Sequence, residues 1–317
     1  MLIKLLVGLG LLGYMASRSP LEDLKNAFLA VRFPTIAWGL LLYAGSMWIA
    51  GLRWRVLFAA YGARRTFPVR HLVSLYMTGL FFNTFLPGAV GGDVLRAHLV
   101  RGAYDSPLAS YAAVLLERVF GFAALACLSA LALTARLSTS DASDFAPYLI
   151  ASGVAVAATI GGALQAPAIA RRLATRLQER GRIGQLFGLL ARTPDLARPG
   201  LLVWAMALSF GTQLVGVFAT YLVTRDLCPS VTFVDCLLYV PLANIASYFP
   251  MTFGGLGARE ATFVALFARI GVPEPSALAT SLVVFGLLVA LALAGGVIHL
   301  ISPVEIPKEP PGALPDS

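Results

Sequence analysis

The chain has 317 residues, 58% of them hydrophobic and 13% charged, with a mean hydropathy of +0.79 and a net charge of +8. A soluble domain of this size carries roughly 25% charged residues, so the composition excludes one and indicates an integral membrane protein. The apolar stretches are long and unalternated, which excludes an outer-membrane barrel built from alternating strands of about ten residues; the fold class is all-α.

The first apolar stretch, 2–16 with Lys4, has the length of a signal peptide, but a retained anchor helix serves the topology better. A full span needs about 20 apolar residues to cross about 30 Å of hydrocarbon. Six stretches qualify: 2–16 with flanking turns, 36–52, 108–135, 147–166, 200–224 and 276–301. Two further runs fall short. As helices, 71–86 reaches about 24 Å and 236–249 about 21 Å. The first stops at Asn83, Pro87 and paired glycines, and the second at Pro250 and Gly254–Gly255. Short helical patterns follow, over 93–101 and 258–270. Both units read as re-entrant helix–break–helix hairpins. The second is alternatively a broken full span, because its apolar run extends back to Val231.

Charge sets the orientation. Arg53, Arg55, Arg64, Arg65 and Arg70 follow the second span, and Arg171, Arg172, Arg176, Arg180, Arg182, Arg192 and Arg198 follow the fourth. Placing both groups in the cytoplasm leaves the sparsely basic loops around 141–144 and 225–235 outside. This segregation explains the positive charge without a nucleic-acid partner. Both termini become cytoplasmic in a multi-pass protein of a bacterial-type inner membrane. The first hairpin then enters from the cytoplasm and the second from outside. The units 36–135 and 200–301 become inverted repeats with their broken tips facing near the midplane. All of 1–302 forms one membrane domain, with a basic cytoplasmic segment at 168–199 that includes an interfacial amphipathic helix. The proline-rich tail, 303–317, reads as disordered and cytoplasmic.

The hairpin breaks share a pattern, Pro-x-x-x-Gly-Gly-x-x-x-Arg, repeated 163 residues apart. Its copies are Pro87, Gly91, Gly92 and Arg96, then Pro250, Gly254, Gly255 and Arg259, with Asp93 and Glu260 beside the arginines. Broken backbone in hydrocarbon survives only where protein buries it or where it lines a wet cavity. Paired breaks in two halves of a membrane protein point to a transport site. Glu117 and Arg118 lie about nine residues, some 14 Å, into their span. Intramembrane charges are functional-site hypotheses by default. Adjacent on a helix, the two diverge and need separate partners: Arg96 or Arg259 for Glu117, and Asp93 or Glu260 for Arg118.

Two uses of these residues remain open. One is a purely structural network tying the hairpins to the bundle. The other is a headgroup site, since arginine forks suit phosphate and helix N-termini after Gly-Gly present amides to anions. Asn83 and Asn244 then bond the broken backbone or the ligand, while Asp93, Glu117 or Glu260 admits a proton or a cationic group. Cys127, Cys228 and Cys236, and the scattered His71, His98 and His299, suggest no disulfide, metal site or cofactor.

The run from Asn83 through Pro87, Gly91, Gly92 and Asp93 to Arg96, then Glu117-Arg118, then Pro250, Gly254, Gly255, Gly257, Arg259 and Glu260 resembles the lysylphosphatidylglycerol synthase transmembrane-region family, also called flippase-like. The resemblance spans nearly the whole chain. It implies a polytopic inner-membrane protein that moves or handles lipids: aminoacylated phospholipid, hopanoid-related lipid or polyprenyl-linked sugars. The full synthases add a C-terminal aminoacyl-transferase domain, which this sequence does not carry, so no aminoacylation is expected. A lipid translocase, and no enzyme, is the expectation. The alternatives are a membrane-embedded transferase acting on a lipid carrier, although no Asp-x-Asp cluster is present, and a non-transporting scaffold for a cell-envelope biosynthetic enzyme.

Overall fold

The computed structural model describes residues 21–85, 91–137, 194–247 and 257–301, together with residue 13 and short stretches between 150 and 192. The expected span at 2–16 and the tail lie outside the described residues, apart from residue 13; so does most of 147–166. The breaks themselves, at Pro87, Pro250, Gly254 and Gly255, also lie outside them.

Nine α-helices are described, and no strand is found among the described residues. They are α1 (Leu21–Ala30), α2 (Phe33–Ala60), α3 (Val69–Phe85), α4 (Gly91–Val100), α5 (Pro107–Leu137), α6 (Leu201–Leu227), α7 (Phe233–Ser247), α8 (Ala258–Ala268) and α9 (Glu274–Ile301). The chain is an all-α polytopic membrane protein, and four of these helices are long and apolar enough to cross a bilayer: α2, α5, α6 and α9. The shortest of them, α6 with 27 residues, reaches about 40 Å, beyond the roughly 30 Å of hydrocarbon.

Local chemistry explains the starts of the first two helices. Pro34 sits in the first turn of α2, where its fixed φ suits a helix start and its missing N–H costs nothing. The α1 helix, absent from the sequence reading, carries Glu22 and Asp23 in its first turn, where the helix dipole favours acids. The expected span 36–52 is too short at its C-terminal end. The α2 helix runs through Arg53 and Arg55 to Ala60, because Arg53 points inward and finds buried partners there.

The most extensive packing is between α2 and α6. Arg53 meets Ser209 at 3.1 Å, and Tyr43 meets Gly216 at 3.4 Å and Thr220 at 3.5 Å. Numbers fall along α2 as they rise along α6, so the two helices are antiparallel. The next most extensive contacts are α3 with α9 and α5 with α7. Exchanging α2–α5 for α6–α9 converts one of these pairs into the other. The same exchange maps α3–α4 onto α7–α8.

The α4 helix folds back along α3. The Arg96 guanidinium lies 4.5 Å from the Tyr76 ring centre, and a side chain on Gly92 would collide with the Gly79 carbonyl. On its other flank, a side chain on Gly295 of α9 would collide with the Met77 carbonyl. Small residues permit such close backbone approach between membrane helices. Trp38, Trp48, Leu115, Val203, Trp204 and Leu300 face outward, as a lipid-solvated surface requires.

Candidate functional site

The site grows from the start of α4. The Gly92 amide donates to Asn83 Oδ1 at 2.8 Å, and Asn83 Nδ2 donates to Asp93 Oδ1 at 3.3 Å. Asn83 thus caps α4 from the preceding helix, satisfying an amide that α4 leaves unpaired. The Gly92 N–H at the start of α4 is therefore taken within the protein.

From Asp93 an alternating chain of five charges crosses the bundle. Arg118 Nε donates to Asp93 Oδ2 at 2.6 Å, and Arg96 Nε to Asp93 Oδ1 at 3.0 Å. Arg96 Nη1 pairs with Glu117 Oε2 at 2.7 Å, and Arg53 Nη2 donates to Glu117 Oε1 at 2.6 Å. The Arg96–Glu117 contact is an ion pair off hydrogen-bond alignment, and Arg53 Nε is a buried donor without an acceptor among the described residues. Arg96 is further held between the Trp54 and Tyr76 rings, 4.9 and 4.5 Å from their centres, a cation–π arrangement that strengthens when desolvated.

Burial grades along this chain. The Glu117 side chain is 1% exposed and Arg96 4%, whereas Arg118 is 28% exposed. Charges this deep are tolerated only when paired, since removing one partner leaves an uncompensated buried charge.

The second arginine has a different setting. Arg259 Nη2 lies 2.5 Å from Glu260 Oε1 and donates to the Ser281 carbonyl at 3.2 Å. Glu260 Oε2 accepts the Gly257 amide at 2.7 Å, capping α8 from within. Gly257 adopts φ +87°, a left-handed conformation that favours glycine. The Arg259 guanidinium also lies 5.2 Å from the Phe285 ring centre. This arrangement selects one of each pair of partner options. Arg259 and Glu260 bond each other and α9, while Glu117 and Arg118 are served by Arg96 and Asp93 of the first hairpin.

Asn83, Gly92, Asp93, Arg96, Glu117 and Arg118 therefore belong to one centre, while Gly91 is the exposed first residue of α4. Arg259 and Glu260 form another, and Asn244 is half-buried on α7. Pro87, Pro250, Gly254 and Gly255 lie outside the described residues. Sequence reasoning missed Arg53, Trp54 and Tyr76. Arg53 was counted as a loop charge, yet Val56, Leu57, Phe58, Ala59 and Ala60 continue the apolar run beyond it. That continuation was the available signal of a buried arginine.

The model of the lysylphosphatidylglycerol synthase TM region matches residues 1–296. A UPF0104 membrane protein of Methanothermobacter thermautotrophicus is 26% identical over 291 residues, covering 83% of this chain and 80% of that protein. Glycosyltransferase AglD of Haloferax volcanii is 24% identical over 312 residues, covering 84% of this chain but 48% of that protein. The chain thus spans about half the length of that second relative.

Proposed function

As the chain belongs to the lysylphosphatidylglycerol synthase transmembrane-region family, we propose that it translocates a lipid with an anionic headgroup across the inner membrane without catalysing a reaction. Its family and its apolar helices make it a membrane protein associated with lipid or glycolipid handling. The observation that carries the finer reading is the graded ion chain from Arg53 to Arg118. It is sealed at Glu117 and partly open at Arg118. Guanidinium forks at an opening in apolar surroundings suit a phosphate headgroup.

The exchange of packing partners between α2–α5 and α6–α9 supports an inverted repeat. A two-fold axis relating antiparallel α2 and α6 runs perpendicular to them, hence in the plane of a membrane they cross. We read α3–α4 and α7–α8 as re-entrant hairpins whose breaks approach the midplane, the arrangement by which rocking repeats give alternating access. The arginine-rich ends and both termini are assigned to the cytoplasm.

The test is dithionite quenching of fluorescent phosphatidylglycerol in proteoliposomes. Faster exposure of inner-leaflet lipid than in protein-free vesicles is expected, with Arg118→Gln slower than wild type. Equal rates with and without protein would overturn the proposal. The glycosyltransferase named among the relatives favours a second reading, in which the lipid is a polyprenyl-phosphate sugar carrier. Repeating the assay with a fluorescent polyprenyl-phosphate sugar decides between the two lipids. Retention of a cell-envelope enzyme by a protein that moves neither lipid would instead indicate a scaffold.

A further inference from the structure

We propose that the Asp93 carboxylate is a tethered stand-in for the ligand's headgroup, occupying between Arg96 and Arg118 the seat that a phosphate group takes when lipid binds. This rests on the anionic-lipid reading and adds how the headgroup gains entry.

Both carboxylate oxygens are committed to groups that bind phosphate equally well. Oδ1 accepts from Arg96 Nε at 3.0 Å and Asn83 Nδ2 at 3.3 Å, and Oδ2 accepts from Arg118 Nε at 2.6 Å. A phosphate offers the same charge-assisted acceptors to the same donors. Exchanging one anion for the other is then nearly balanced, which suits a transporter that must both take up and release its cargo.

The surroundings remain ordered when Asp93 leaves. Arg96 keeps Glu117 at 2.7 Å and its position between Trp54 and Tyr76. The Gly92 amide stays bonded to Asn83 at 2.8 Å, so withdrawal of the carboxylate strips no partner from that amide. Entry is from the Arg118 side, because its side chain is 28% exposed against 8% for Asp93 and 4% for Arg96. Glu117 cannot serve in the same way. It is 1% exposed and held by two arginines at 2.6 and 2.7 Å, and its departure would strand both.

The experiment titrates the purified full chain in neutral detergent with dioctanoyl phosphatidylglycerol, dioctanoyl phosphatidylcholine and inorganic phosphate, using isothermal calorimetry. Asp93→Asn keeps the shape and removes the competing charge. It should bind phosphatidylglycerol about tenfold or more tightly than wild type, the scale of one charge-assisted hydrogen bond. Arg118→Gln should bind it more weakly, and phosphatidylcholine affinity should not change. An equal gain for inorganic phosphate identifies free phosphate as sufficient; a gain confined to phosphatidylglycerol identifies the lipid. Either gain supports the seat.

If wild type binds phosphatidylglycerol and Asp93→Asn binds it no tighter, the stand-in role is overturned while the anionic-lipid reading stands. If neither protein binds an anionic probe, both fail. Should Asp93→Asn be unstable in neutral detergent, phosphatidylglycerol or phosphate must restore its wild-type melting behaviour and phosphatidylcholine must not. Absence of that rescue also overturns the inference.

Discussion

The two hairpins carry the same Pro-x-x-x-Gly-Gly-x-x-x-Arg pattern and an acid of its own helix beside each arginine, yet a carboxylate from another span joins the arginine only in the first. In the first, Arg96 is answered by Asp93 of its own helix and, from outside the hairpin, by Glu117 of α5, which in turn holds Arg53 of α2. In the second, Arg259 is answered by its own neighbour, Glu260. Glu117 follows Arg96 by 21 residues, and Ser281 follows Arg259 by 22. At the 163-residue offset of the repeat Glu117 corresponds to Thr280, one residue before Ser281, so a carboxylate in one half is matched by a hydroxyl residue in the other. Even so, Ser281 contacts the arginine, through its backbone carbonyl at 3.2 Å. The placement of the polar partner is retained while its charge is not. The first hairpin is consequently fastened at its arginine by ion pairs to α5 and, through Glu117, to α2, whereas Arg259 fastens the second only to α9 and that hairpin's ion pair to α5, Asp235 with Arg136, lies on α7.

Glu117→Gln tests this difference most severely. It leaves Arg53 and Arg96 buried with their shared counter-ion gone. Breaking a buried pair on one side costs about 3–5 kcal/mol, so a large fall in melting temperature in detergent is expected. A change within a few tenths of a kcal/mol would mean that water already satisfies both arginines. Glu260→Gln should cost less, about 1–3 kcal/mol. The amide oxygen can still accept the Gly257 N–H, and Arg259 keeps the Ser281 carbonyl. Should Glu260→Gln prove the more damaging, the second hairpin is the better anchored of the two.

Backbone approach gives a third contrast. Gly92→Ala drives a methyl group into the Gly79 carbonyl, and overpacking of this kind costs about 1–3 kcal/mol. Gly121→Ala, whose new methyl would meet only the Gln213 side chain at 3.4 Å, is the matched control on α5 and should melt close to wild type. Equal losses at the two positions would show that helix propensity or lipid packing, not the α3–α4 contact, sets the cost.

The long helices were legible because hydropathy is a local signal. Asp93, Arg96, Glu117 and Arg118 stood out for a related reason: charge inside an apolar run is costly enough to need an explanation. Their pairing was not legible. Whether Arg259 turns to Glu117 or to Glu260 depends on which helices pack, and α5–α7 and α3–α9 contacts leave no trace in spacing. Arg53 was hidden by a true rule applied too far. Arginines do gather at the cytoplasmic ends of spans, but its Nη2 reaches Glu117 across the bundle. The α1 helix was overlooked because its ten residues carry too weak a pattern between two strongly apolar runs.

The weakest expected effect separates surface charge from buried charge. Arg171 donates to both oxygens of Asp195, at 3.2 and 2.8 Å, forming a better fork than any in the buried chain. That hydrogen bonding holds the Asp195 carboxyl below its ordinary value. A depressed carboxyl contributes stability above its unfolded value, about pH 4, and loses it as pH falls through the folded value. Both side chains are exposed, however, at 47% and 70%, and screening reduces such pairs to near nothing. Arg171→Gln should therefore melt with wild type at neutral pH and at pH 4 in about 0.15 M salt, whereas Glu117→Gln should not. A clear loss for Arg171→Gln at neutral pH that disappears on acidification would show that this pair, unlike an ordinary surface bridge, fastens the segment before α6 to the bundle.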